Sequence, residues 1–181
     1  FDLHALGVID RLPRLLGAQP EAAAPLVRAH REGYRERVRV KAKDTVASAV
    51  RIGDPVSYDK AVAAVRRSNG AFISASEQEI MDAKALVDST GVYICPNSAT
   101  AVAGFLKARA QGIVGPDERV VIIATAHGCK FSQATIDYHG GRLAGVVPRR
   151  ANRIIEVAAE AAAIEGLLTS SAGAAPRKDG Q

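Results

Sequence analysis

PDERVVIIATAHGCK, residues 116–130, joins five apolar residues, Val120 to Ala124, to a threonine, a histidine, a cysteine and a lysine. An apolar run of this kind, rich in valine and isoleucine, is the pattern of a strand covered on both faces. It is expected to be the longest and most buried strand of the chain. The flanking sequence supplies the cover. RLLGAQ (14–19) and AFISAS (71–76) read as further strands. PEAAAPLVRAHREG, SYDKAVAAVRRSNG, SEQEIMDAKALVDSTG, NSATAVAGFLKARAQG and ANRIIEVAAEAAAIEGLL (151–168) read as helices. Strands alternating with helices predict an α/β fold, with a parallel or mostly parallel sheet flanked by helices.

Several helix boundaries carry a chemical signature. Ser57 is expected to cap its helix, with Asp59 in the first turn. Ser76 and Glu79 form a capping-box pattern. Asn97 or Ser98 is expected to start the next helix, and Gly112 to end it. The segment 169–181 is small and polar and is expected to be a disordered tail.

Composition narrows the class. The chain has 181 residues, 48 % hydrophobic and 24 % charged, which suits one globular domain. No segment reaches the roughly 18 apolar residues of a membrane helix, and the start lacks the pattern of a secretion signal. The net charge of +5 is scattered and has few aromatics beside it, so neither nucleic acid nor a membrane is an expected partner. Two cysteines, Cys95 and Cys129, are too few for a disulfide framework or a metal cluster, and point to a reducing, cytoplasmic setting. Phe1 stands where an initiating methionine would, inside a helical pattern, so the chain is expected to begin within a larger protein.

Parallel sheets bind ligands beyond the carboxyl ends of their strands. Three such ends stand out: VASAVRIGDP, VYICPNSAT and VVIIATAHGCK. Their small residues let a flat ligand approach the backbone. No G-x-G-x-x-G, P-loop or zinc motif accompanies them. Residue by residue the chemistry stays open. Thr125 is a ligand donor or a strand-end hydroxyl bonded to a carbonyl. His127 and Cys129 are a nucleophile pair or unrelated neighbours across a turn. Lys130 is a Schiff-base former or a surface lysine, Cys95 a buried small hydrophobe, and Arg51 an anion holder or a solvent-facing edge residue.

Taken in register, KDTVASAVRIGDPVSYDKAV, the block from SEQEIMDAKALVDSTGVYICPNSATAVAGFLKARAQGIV, and ERVVIIATAHGCKFSQATIDYHGG resemble the C-terminal half of threonine synthases of the plant-type branch. The resemblance extends over residues 1–141. It implies a fold type II enzyme dependent on pyridoxal 5'-phosphate, with 1–168 as its C-terminal part. The implied reaction converts O-phospho-L-homoserine and water to L-threonine and phosphate. The resemblance assigns Thr125 to the pyridine nitrogen of the cofactor, and Ser48 and Ala49 to the segment lining its face. It places no catalytic residue in this chain: the Schiff-base lysine and the loop holding the cofactor phosphate belong before Phe1. The missing N-terminal half is therefore the first expected partner, the complete enzyme a homodimer, and this chain alone inactive. No metal is implied.

The departures from that pattern are local. Cys129 stands for a leucine, and Asn97, Ser98 and Ala99 stand for His, Thr and Gly. They leave two alternatives: a non-catalytic binding or regulatory remnant, and another fold type II lyase acting on related amino acids.

Overall fold

A computed structural model describes residues 1–171. A short helix, α1 (Asp2–Ala5), precedes strand β1 (Leu16–Pro20). Strand β2 (Ala71–Ala75) lies parallel to β1, with Leu16 opposite Ala71 and Pro20 opposite Ala75. Parallel neighbours require a long crossover, and residues 21–70 provide it. That crossover carries helix α2 (Pro25–Arg31), opened by Pro25 in its first turn, and helix α3 (Tyr58–Arg67). Ser57 occupies the N-cap position of α3, but its hydroxyl makes no capping bond, contrary to expectation. After α3 the chain reverses through Asn69 (φ 51°) and Gly70. A side chain at Gly70 would collide with the Leu15 carbonyl oxygen. Glycine there lets the Ala71 N–H reach that same oxygen at 3.2 Å and start β2 beside β1.

Helix α4 (Glu77–Asp88) begins with the expected capping box: Ser76 Oγ accepts from the Glu79 N–H at 3.2 Å, and Glu79 Oε2 accepts from the Ser76 N–H at 2.7 Å. Its inner face buries Ile80, Met81 and Ala83. Lys84 is also buried, which an ammonium tolerates only when partnered. Its Nζ lies 2.5 Å from Asp88 Oδ2 and 4.3 Å from the centre of the Tyr93 ring. Helix α5 (Pro96–Ala110) lies across both strands and against α4. Gly112, in the left-handed region at φ 70°, follows its last turn as expected. Lys107 Nζ donates to the Ser74 carbonyl at 2.9 Å and to Glu79 Oε2 at 3.0 Å, tying α5 to the end of β2 and to the α4 cap.

Helix α6 (Ser132–His139) has no counterpart among the expected helices. It is anchored by Tyr138, whose buried hydroxyl donates to Asp82 Oδ1 at 2.6 Å and accepts from the Arg150 N–H at 3.1 Å. Burial, then the Asp82 carboxylate, pushes its pKa up to about 12. Helix α7 spans Ala161–Ser171. The helix expected over 151–168 is therefore confined to its second part. Residues 151–160 are exposed, with no surface to hold an amphipathic turn in place. Of the tail expected at 169–181, the first three residues continue α7 and the rest lie outside the described residues.

The α/β class and the parallel pairing match the expectation; the strand inventory does not. Residues 116–126 form no strand, and far from being buried, Val121 is 86 % and Ile123 75 % exposed. A strand exists only through a ladder partner, and among the described residues none runs beside this segment. Its downstream end is caught by one antiparallel bridge, Ile94 to His127. Residues 45–53 likewise hold a 3-10 turn, Ser48–Val50, rather than a strand. No helix among the described residues is long and apolar enough to cross a membrane.

The capping box gives a direct check. Replacing Ser76 by Ala is expected to lower stability by about 1 kcal/mol, read as an earlier midpoint in urea unfolding of the full-length protein.

Candidate functional site

Two backbone bonds assemble the site. The Cys95 N–H donates to the Ala126 carbonyl at 3.1 Å, and the Gly128 N–H to the Tyr93 carbonyl at 2.9 Å. This short antiparallel contact carries Thr125 to the N-terminus of α5. There the cap differs from the expectation. Neither Asn97 nor Ser98 is the N-cap residue; Cys95 is, with extended backbone (φ −77°, ψ 160°) and its sulfur accepting from the Ser98 N–H at 3.4 Å.

Because sulfur takes the capping role, both polar side chains of the first turn are free to reach outward. Asn97 Oδ1 accepts from the Ala49 N–H at 3.1 Å, and its Nδ2 points to Cys95 Sγ at 3.8 Å. Ser98 is buried. Its Oγ accepts from the Thr125 N–H at 2.8 Å and lies 3.2 Å from both Thr125 Oγ1 and Cys95 Sγ. One hydrogen-bonded network thus runs from Ala49 through Asn97, Cys95 and Ser98 to Thr125. Of the three site residues expected from the sequence, Ala49 and Thr125 are its two ends. Ser48 shares the 3-10 turn of Ala49 and is exposed.

The network contains no charged group, yet it shifts the titration of one member. Cys95 is fully buried, and burial pushes its thiol up. Hydrogen bonds available to the thiolate form, from the Ser98 hydroxyl and N–H first and then from Thr125 and Asn97, outweigh burial, so the thiol titrates below its ordinary value.

The remaining candidate residues lie apart from this network. His127 Nδ1 accepts from the Cys129 N–H at 3.2 Å, and its ring stands edge-on to Tyr93 at 5.5 Å. The imidazole thus serves the backbone and its Tyr93 neighbour rather than the exposed Cys129 thiol. Lys130 is exposed in the turn Gly128–Phe131. Arg51 is exposed and pairs with Asp44. Asn97 and Ser98, cap candidates by sequence, are the residues that join the site. The cysteine three positions before Ser98 was the available signal, since a cap accepts from an N–H at that spacing.

Residues 3–126 match the model of the family described as pyridoxal-phosphate dependent enzymes. The chain is 44 % identical over 164 residues to threonine synthase 2, chloroplastic, of Arabidopsis thaliana, covering 90 % of this chain and 32 % of that protein. It is 39 % identical over 136 residues to a threonine synthase of Methanocaldococcus jannaschii, covering 75 % and 34 %. The chain spans about a third of the length of the curated relatives it matches. Among solved structures, the threonine synthase from Escherichia coli aligns with a TM-score of 0.56 at 14 % identity, over 88 % of this chain and 38 % of that one. Maize serine racemase aligns at 0.51 and 17 %, over 76 % and 41 %. Both likenesses are of fold.

The donor set fits the nitrogen end of a pyridine ring. Thr125 is exposed on this chain, and its side-chain partners are a hydroxyl and a thiol, both uncharged. A neutral donor hydrogen-bonds an unprotonated ring nitrogen without favouring its protonation, as a carboxylate would.

Removing the Asn97 side chain tests the connectivity. Asn97→Ala leaves the Ala49 N–H without its acceptor, an expected loss of about 1 kcal/mol in urea unfolding of the full-length protein. It also removes a donor from Cys95. A thiol titrating low in the folded state stabilises it above the ordinary thiol pKa, about 8.5, and that contribution disappears as pH falls through the folded value. The loss in Asn97→Ala should therefore be larger at alkaline pH than at neutral pH, and an equal loss at both would contradict the bond.

Proposed function

The chain belongs to the pyridoxal-phosphate dependent enzyme family, and from that membership we propose that it is the C-terminal part of a threonine synthase. The whole enzyme would convert O-phospho-L-homoserine and water to L-threonine and phosphate, as a carbon–oxygen lyase in threonine biosynthesis. The observation that supports this most directly is the uncharged network ending at Thr125. It presents a hydroxyl held in place from behind, with no carboxylate among its partners.

When bound, pyridoxal 5'-phosphate supplies the electron sink for carbanions of the amino-acid substrate. This chain's residues hold and orient it. Thr125 would meet the pyridine nitrogen. The Ser48–Ala49 turn, tethered to α5 through Asn97, would line the ring face. The Schiff-base lysine and the cradle for the cofactor phosphate are assigned to the N-terminal half of the same enzyme, this chain's principal partner, and the complete protein to a homodimer. Two free cysteines support a reducing compartment, which we take to be the cytoplasm.

A second reading keeps the cofactor and changes the substrate. Its support is the altered first turn of α5, where Asn97, Ser98 and Ala99 stand in place of the His, Thr and Gly of the threonine synthase pattern; Ala99 itself packs into the core with Ala75, Ile80 and Ile94. Assaying the full-length protein on O-phospho-L-homoserine, serine and threonine separates the two. Phosphate release with threonine formation from the first substrate is expected; turnover confined to serine or threonine would replace this proposal with the second reading. Thr125→Ala in the full-length enzyme is expected to weaken cofactor binding by about 1–3 kcal/mol, measured by fluorescence titration of the apoenzyme.

A further inference from the structure

Thr125 can donate to a ligand only if its own proton is not spent inside the protein, and its neighbours decide that. A hydroxyl has one hydrogen to donate and two lone pairs to accept with. The Ser98 Oγ takes the Thr125 N–H at 2.8 Å, which occupies one lone pair with an unambiguous donor. Cys95 Sγ is met by two N–H groups, Ser98 N at 3.4 Å and Asn97 Nδ2 at 3.8 Å, so while the thiol is protonated its own hydrogen has the remaining neighbour, Ser98 Oγ at 3.2 Å, as acceptor. That fills the second lone pair. The Ser98 hydrogen then has Thr125 Oγ1, at 3.2 Å, as its acceptor. In that order Thr125 Oγ1 receives from behind, and its own hydrogen is left for a partner outside the network. The Cys95 sulfur is a poor competitor for that hydrogen, lying 4.0 Å from Thr125 Oγ1 with two N–H groups already on it.

We propose that Ser98, backed by the Cys95 thiol and Asn97, is the positioning residue that makes Thr125 an outward hydrogen-bond donor rather than an acceptor. The inference rests on the reading of Thr125 as the partner of the pyridine nitrogen and adds what orients it. Asn97 then has two tasks. Its oxygen fixes the Ala49 turn, and its nitrogen saturates the sulfur that starts the ordered network. A buried network in which each donor finds an acceptor is rigid, and rigidity is what a hydroxyl with free rotation lacks on its own.

The test uses the full-length protein with pyridoxal 5'-phosphate. Wild type, Thr125→Ala, Ser98→Ala and Ser98→Cys are compared by the absorption spectrum of the bound cofactor and by its dissociation constant. Ser98→Ala is expected to shift the spectrum in the same direction as Thr125→Ala and to weaken binding about tenfold, although Thr125 is intact. Ser98→Cys keeps the volume and a weak donor, so it should fall between Ser98→Ala and wild type; it carries the test if Ser98→Ala fails to fold. A wild-type spectrum and dissociation constant in both Ser98 variants, with Thr125→Ala shifted, overturns the positioning role and leaves the function proposal standing. No change in Thr125→Ala removes the premise, and the inference falls with it.

Discussion

Helix α5 can lie as close to the sheet as it does because Gly104 faces β1 without a side chain: a Cβ at 104 would stand 2.8 Å from the Ala18 Cβ. That approach is the constraint on which the remaining geometry depends. It sets the height of α5 above β1 and β2, and the ion pair from Lys107 to Glu79 with its bond to the Ser74 carbonyl fixes the helix along its length. With the axis fixed, the N-terminus of α5 is fixed too. The first turn, Cys95 to Ser98, is then in position to be met by the Ala49 turn on one side and by Thr125 on the other. The candidate site is therefore a consequence of close packing some way from it, since a packed interior transmits small displacements rather than absorbing them.

How much of this is legible in the sequence depends on how local each feature is. The capping box at Ser76 and Glu79 is legible because its partners lie three residues apart and each type has one obvious use. The pairing of β1 and β2 is legible as two short apolar runs with helices between. The segment 116–126 misleads for the opposite reason. Its Val-Val-Ile-Ile pattern records the surroundings it is suited to, whereas a strand also needs a neighbour to pair with, and that is not a property of the segment itself. Val121 and Ile123 are left facing outward at a cost on the order of 25 cal/mol for each Å² exposed. In the longer enzyme proposed above, covering this surface would be favourable.

The site is legible in a different way. Thr125 and Ala49 are reached through resemblance, not through chemistry visible in the chain, because a threonine at the end of an apolar run has many ordinary explanations. What joins them is not visible in the sequence pattern. Serine and asparagine at a helix start are expected to be caps, and cysteine is not. Once Cys95 takes that position, the roles of Asn97 and Ser98 change together. In the sequence both stand out only as departures from a family pattern.

The chemistry of the network from Ala49 to Thr125 also explains why it holds no ion. On the proposed reading a carboxylate at position 125 would favour a protonated pyridine nitrogen, and a charge at position 98 would be buried at a helix start at considerable cost. Uncharged donors avoid both difficulties, but each is weak alone, about 1 kcal/mol net. In the proposed order their strength comes from alignment, each group accepting from the one behind and donating to the one ahead, so that the last hydrogen has a single place to go. A thiol at the start suits this purpose better than a hydroxyl. Sulfur accepts weakly at long range from two N–H groups, as the 3.4 and 3.8 Å distances show, and in the proposed order its one hydrogen remains available to Ser98.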